Sequence, residues 1–315
     1  RGGLNHGSHF GGGRVVYVGN TSIGTVVGNG ILHSNHDATD DYEVVVVGNT
    51  CSGATLSGIR VDRVNGAVVA GNSSSLNARN GIYVSSCDDV VVSGNTARGN
   101  TLSGFRLDVV DGGAFGGNVA LGNTQRGMYF TTCNDVAVVG NQCRDNTMDG
   151  IRTATAGARL VISNNICRAN QAAGIRVDAV TGAKVLGNVA TGNTDRGFVA
   201  GTGSTSLELV HNDLSNNTAG AVNTVSGIAV HFTRMEGNVG YNPVGPSAIT
   251  PGSSPYTYTA GPAPEVVFVT AGTVSSIKIG ATTIASATGM AVPLLPLQAM
   301  TVTYSSVPTM VKSIQ

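Results

Sequence analysis

The sequence predicts an all-β protein, a right-handed parallel β-helix solenoid followed by a small antiparallel β-sandwich. Three repeating features predict it. Apolar runs end in Gly-Asn or a close variant, with the Asn at 49, 72, 95, 118, 141, 165, 188 and 212, a step of 23 or 24 residues. Nine positions after each landmark stands a Gly followed by an apolar residue: Gly58-Ile59, Gly81-Ile82, Gly104-Phe105, Gly127-Met128, Gly150-Ile151, Gly174-Ile175 and Gly197-Phe198. A second Asn column, Asn77, Asn100, Asn123, Asn146, Asn170, Asn193 and Asn217, keeps the same beat. Phases locked together over so many coils mark a repeat architecture.

A coil of this length is too short for a strand with a long helix, and Glu, Lys and Gln are scarce between the landmarks, so strands carry the chain. In Gly58-Ile59-Arg60-Val61-Asp62, Ile59 and Val61 fall on one face and Arg60 and Asp62 on the other. Stacking coils at ~4.8 Å turns each inward position into a ladder. One ladder reads Ile59, Ile82, Phe105, Met128, Ile151, Ile175, Phe198, and the next Val61, Val84, Leu107, Phe130, Thr153, Val177. The Asn columns belong at corners, where stacked amides hydrogen-bond between coils and Asn tolerates left-handed backbone.

The first coil runs through Val15–Asn20 and Gly30-Ile31-Leu32, with an insertion over residues 33–42 before the next landmark. Glu236-Gly237-Asn238 closes a longer last coil. The sequence thus divides into a Gly-rich segment (1–14), a β-helix (15–240) of about nine or ten coils, a linker (241–254) and a β-sandwich (255–315). At that rise the solenoid is roughly 45 Å long.

Composition narrows the function. Eighteen basic residues balance eighteen acidic ones and the pI is about 7.2, which gives no footprint for nucleic acid or an anionic membrane. No apolar run approaches the ~18 residues of a membrane span, and no signal-like segment opens the chain. A start at Arg1 rather than Met reads as a processed or partial product. The five Cys all precede position 168 at irregular spacing and read as small core residues, with Cys143 and Cys167 a thiol pair on adjacent coils.

All nine prolines lie at or after Pro243, and from Tyr241 onward the only charged residues are Glu265, Lys278 and Lys312. Alternating strands follow at Glu265–Thr270, Thr273–Ile279 and Ala299–Tyr304. The strings Asn242-Pro243-Val244-Gly245, Gly272–Ile279 and Thr301–Thr309 resemble the C-terminal module of bacteriophage tail fibre and tail spike proteins. The preceding coils resemble the pectate-lyase-like β-helices of those proteins. That module usually carries Pro-Gly where this chain has Pro296-Leu297. The resemblance implies a virion component that attaches to a host surface, an extracellular location, homotrimers, and other virion proteins and a host polysaccharide or receptor as partners.

Outward positions of the Gly-apolar strands form a column of Arg60, Tyr83, Arg106, Tyr129, Arg152 and Arg176, with Asp62, Asp108 and Asp178 two residues on. Arg and Tyr beside acids suit a polysaccharide, and Asp178 joins this carbohydrate-binding set. The favoured plainer reading is a solvated polar ladder or a subunit interface. Hydrolysis needs two opposed carboxyls ~5.5 to ~9.5 Å apart. Asp62 and Asp108, two coils apart at about 9.6 Å, are the weak catalytic candidates of a polysaccharide lyase or glycoside hydrolase. The sequence favours a non-enzymatic protein without cofactor. His33, His36, Asp37, Asp40 and Asp41 bring metal-capable groups together but match no established ligand spacing, so a solvated loop is favoured. A secreted bacterial adhesin or filament subunit shares the same fold.

Overall fold

The structure is a computed structural model that describes residues 4–7, 14–34, 43–224, 231–241 and 247–314. It is all-β. Parallel rungs stack around a closed coil with three faces. The first face comprises Ile31–Ser34, Ile59–Asp62, the opening halves of Ile82–Ser93, Phe105–Gly116 and Met128–Val139, then Ile151–Ala154, Ile175–Val177, Arg196–Ala200 and Gly220–Thr224. The second runs from Val15–Val18 through the closing halves of the same long strands to Phe232–Glu236. Because those three strands pass through the bend, the two faces form one 19-stranded sheet. The third face is an eight-stranded sheet from Thr21–Ile23 to Val189–Thr191. The solenoid thus has about eight complete turns, with further rungs of the first two faces at its ends.

The repeat explains this stacking rung by rung. Ile82 pairs with Ile59 and with Phe105, and Phe105 with Met128, so the predicted ladder is one continuous inward column. Its members are at most 1% exposed. The second face adds Val46, Val69, Val92, Phe115, Val138, Ile162 and Val185, and the third adds Cys51, Ala97, Ala120, Cys143 and Cys167. Phe115 meets Phe130 edge-on at 5.7 Å within the core. Small residues on the third face let it approach the first. A Cβ on Gly127 would stand 2.6 Å from the Gly150 carbonyl and 2.8 Å from the Cys143 Cβ, so this column admits only glycine.

Both Asn columns are hydrogen-bonded ladders. The Asn118 Oδ1 accepts from the backbone N–H and the Nδ2 of Asn95, each at 3.0 Å, while its own Nδ2 donates to the Val92 carbonyl (2.8 Å) and to Asn141 Oδ1 (2.9 Å). The pattern repeats from Asn20 to Asn238 at one corner and from Asn77 to Asn217 at the other. The left-handed backbone expected of these Asn falls instead on the residue before each. Gly48, Gly71, Gly94, Gly117 and Gly140 take it at the first corner, and Leu76, Gly99, Gly122, Asp145 and Ala169 at the second. Glycine reaches this conformation without steric cost, which frees the Asn side chain to bond along the axis.

At the C-terminal end, Ser247–Ile249, Thr309–Ile314, Glu265–Thr270 and Met290–Leu294 form one four-stranded antiparallel sheet, and Tyr256–Thr259, Ala299–Ser306, Thr273–Ile279 and Thr282–Ala285 another. Val267, Val269, Ile277, Met300 and Val302 are buried in one cluster between them. The stretch expected as a linker therefore contributes a strand, because Ala248 pairs with Val311. Glu265, 2% exposed, accepts from Gly261 N–H (3.0 Å), Lys312 Nζ (3.1 Å) and the Tyr258 hydroxyl. Leu297, where the resembling module has glycine, lies at φ 61°. The Met235 N–H donates to the Pro262 carbonyl at 2.7 Å, tying the last rung to the terminal sheets.

Two predictions follow from this construction. Asn118→Ala strands the buried Asn95 donors and the Val92 acceptor and is expected to cost about 3 kcal/mol or more in urea unfolding; a loss below about 1 kcal/mol would contradict the ladder's role. Ala169→Gly relieves left-handed backbone at an exposed corner and is expected to raise the melting temperature, by a stabilisation of about 0.5–1 kcal/mol.

Candidate functional site: the Arg/Tyr/Asp face

The first face presents the predicted column to solvent. Arg60, Tyr83, Arg106, Tyr129, Arg152 and Arg176 occupy consecutive rungs in register, each half-buried. The Arg60 guanidinium carbon sits 5.0 Å from the Tyr83 ring centroid, and that of Arg106 lies 5.5 Å from Tyr83 and 5.7 Å from Tyr129. Cations and rings thus alternate from Arg60 to Arg152, and Arg176 extends the row by a second cation.

A second row of acids fixes the arginines. Arg60 Nε donates to Asp62 Oδ2 at 2.6 Å. Arg106 Nε donates to both oxygens of Asp108, which also accept from Tyr83 Oη (2.8 Å) and from the Thr131 hydroxyl. Arg152 and Arg176 share Asp178 Oδ2, with Nε distances of 3.0 and 2.9 Å. These contacts lock side chains that would otherwise lose rotamer entropy on meeting a ligand.

The sequence reading missed one part of the wall. Arg126 and Asp149 precede the Gly127 and Gly150 landmarks and so stand one row to the side of the column. The Arg126 guanidinium carbon lies 4.4 Å from the Tyr129 centroid, and its Nε, buried without a hydrogen-bond partner among the described residues, is 3.7 Å from Asp149 Oδ2. Asp149 accepts from the Ala173 N–H at 3.2 Å and faces Arg152 at 3.9 Å. Burial pushes the Asp149 carboxyl above the usual carboxylate range and lowers the Arg126 guanidinium, as does the neighbouring Arg152 charge. The signal available was the column of residues before each glycine, which turns from Ser and Asn to Arg and Asp at these two coils.

The weak catalytic candidates differ in their surroundings. Asp62 pairs in register with Ser85, which pairs with Asp108, so the two acids stand two rungs apart, about 9.6 Å at the usual spacing. Asp108 is fully engaged. Asp62 Oδ1 has no partner among the described residues, and burial, opposed by Arg60, raises its carboxyl above the usual range.

Among the metal candidates, His33 is not in a solvated loop. Its strand alternates inward at Ile31 and His33, and His33 pairs with core Val61, so its ring is buried with Nδ1 3.2 Å from the Tyr17 hydroxyl. His36, Asp37, Asp40 and Asp41 lie outside the described residues. Among the described residues no three His, Cys, Asp or Glu side chains cluster as a metal site would require. Cys143 and Cys167 do pair in register, buried and as free thiols.

The fold and this face define a right-handed parallel β-helix with a charged, aromatic wall along one side. The right handed beta helix region family matches residues 103–235, and the periplasmic copper-binding protein (NosD) family matches residues 12–123. No curated protein sequence matches the chain. Among solved structures, a mutant of the periplasmic alginate epimerase AlgG superposes with a TM-score of 0.61 at 20% identity, covering 67% of this chain and 55% of that one. The A-module of the Azotobacter vinelandii mannuronan C-5 epimerase AlgE4 gives 0.55 at 17% identity, covering 65% and 61%. The enzymatically active domain of bacteriophage CBA120 tailspike protein 2 gives 0.45 at 11% identity over 94% and 66%. The chain thus spans little more than half the length of the epimerase structures, and at 20% and 17% identity the likeness to those two is one of fold.

Asp62 carries a pH prediction. Its folded pKa lies above the unfolded value of about 3.9. The folded state therefore holds the extra proton between the two, and stability from this group falls as pH rises through that window. Asp62→Asn is expected to gain on the parent chain in urea unfolding as pH rises above about 4; a gap that shrinks with rising pH contradicts the assignment.

Proposed function

We propose that this protein binds a surface polysaccharide along its Arg/Tyr/Asp face and serves as an attachment component, of the phage tail fibre or spike kind that the C-terminal strands resemble. The observation that carries the reading is the ladder from Arg60 to Arg176, whose cations and rings alternate in register as far as Arg152 and whose arginines are held by a second row of carboxylates. Aromatic faces suit the apolar faces of sugar rings, and fixed guanidiniums suit hydroxyls and carboxylates. Five guanidiniums (Arg60, Arg106, Arg126, Arg152, Arg176) stand against four carboxylates (Asp62, Asp108, Asp149, Asp178), with Arg126 the least satisfied, which favours an acidic glycan.

A second reading rests on Asp62. A buried carboxyl with a raised pKa and one unpartnered oxygen, two rungs from Asp108, has the character of a general acid, so a polysaccharide hydrolase or lyase is the alternative.

Both readings are tested by calorimetric titration with uronate-containing, capsular and neutral oligosaccharides, followed by analysis for reducing ends and unsaturated products. The proposal expects binding without cleavage, and about tenfold weaker binding for Arg106→Ala and for Tyr129→Ala. Product formation abolished by Asp62→Asn would replace it with the enzymatic reading; no binding to any polymer would remove both.

A further inference from the structure

We infer that a groove near the C-terminal end of the second face is a separate saccharide site, one that takes a neutral sugar unit. The repeat breaks there in two columns at once. From Val16 to Val161 one outward row of that face holds only Val and Ala, and from Val18 to Ser163 the row beside it holds only Val, Ala, Ser and Gly. On the next three rungs the first of these valine rows turns into Lys184, Glu208 and Arg234. At the adjoining corner, glycine takes the left-handed position on every coil from Gly19 to Gly237 except two, where Asn164 (φ 54°) and His211 (φ 52°) stand. Glycine would hold that backbone at lower cost, and strain of this kind gathers at functional sites. A Cβ on Gly187 would lie 2.8 Å from Asn164 Oδ1, and one on Gly237 would lie 2.3 Å from His211 Cδ2. Each of the two side chains therefore rests on the glycine of the following coil.

The two columns line a groove of about 640 Å³, with Leu186 and Val210 between them. That volume is in the range of small-molecule sites. Charge selects the ligand. Lys184 Nζ pairs with Glu208 Oε1 at 3.3 Å, and Arg234 pairs with Glu236, so these four charges cancel and leave no surplus cation for an acidic sugar. Sugar hydroxyls both donate and accept. Lys184, Glu208 and Arg234 alternate in register, and the side chains of Asn164 and His211 have no hydrogen-bond partner among the described residues. Together they offer adjacent hydroxyls a donor and an acceptor at once. Leu186 and Val210 suit the apolar face of a sugar ring. The site needs nothing from the Arg/Tyr wall, which lies on the first face.

Histidine-labelled whole chain gives a local readout, because the ring signals of His211 are assigned by their absence from His211→Gly. They are expected to shift saturably with at least one of maltotriose, cellotriose and N-acetylchitotriose, and to stay in place with a uronate trisaccharide or with inorganic phosphate. Added salt is expected to leave the affinity unchanged, since no net charge draws the ligand. Arg106→Ala, a change in the wall alone, is expected to keep the shift, whereas Glu208→Ala is expected to weaken binding about tenfold. Asn164→Gly with His211→Gly restores the repeat, so its melting temperature is expected to hold or rise while calorimetric binding of the same trisaccharide is lost. No shift with any neutral trisaccharide, an equal shift with the uronate or with phosphate, loss of the shift in Arg106→Ala, or undiminished binding in the double glycine variant would each overturn the proposal.

Discussion

The fold depends on one interaction repeated at two corners, the asparagine amide that bonds to the amide of the next coil. Each ladder Asn from Asn49 to Asn212 and from Asn77 to Asn193 is buried, and its three polar groups are satisfied only if the coils above and below stand one rung away in register. An unmet buried amide costs about 1–3 kcal/mol, so a coil cannot slip, tilt or lengthen at these corners without losing several such bonds at once. Every side-chain column inherits that registration. The inward ladders pack because the ladders hold them aligned, and the outward ladders become continuous surfaces for the same reason.

Those outward surfaces differ in character. The first face collects the arginines, tyrosines and acids into a wall whose members are already constrained by one another. The second face is nearly devoid of polar atoms for most of its length. The strands Ile82–Ser93, Phe105–Gly116 and Met128–Val139 run from one face to the other without interruption, so both surfaces are presented by the same backbone. The charged wall and the valine rows are therefore fixed relative to each other.

Much of this was legible in the chain because a solenoid repeats its own evidence. The Gly-apolar phase located the first face, and alternation assigned Ile59 inward and Arg60 outward correctly on each coil. What the pattern could not resolve was local. The Gly of each Gly-Asn pair, not the Asn, takes the left-handed turn, because propensity allows either residue there and only the hydrogen-bond geometry chooses. His33 looked like the start of a polar loop, yet it continues the inward alternation of Ile31. Arg126 and Asp149 lay outside the column being followed, one residue before the glycine. The strand Ser247–Ile249 was hidden by prolines on either side, since its pairing to Val311 is set by contacts over sixty residues away.

The central claim is that the half-buried wall from Arg60 to Arg176 is where the protein meets an acidic glycan. Hydrogen–deuterium exchange with and without a saturating uronate oligosaccharide tests it most directly. The account predicts added protection confined to the first-face rungs around residues 60–62, 83–85, 106–108, 126–131, 149–152 and 176–178. Protection centred on the valine rows or on the terminal sheets, or none at all, would contradict it.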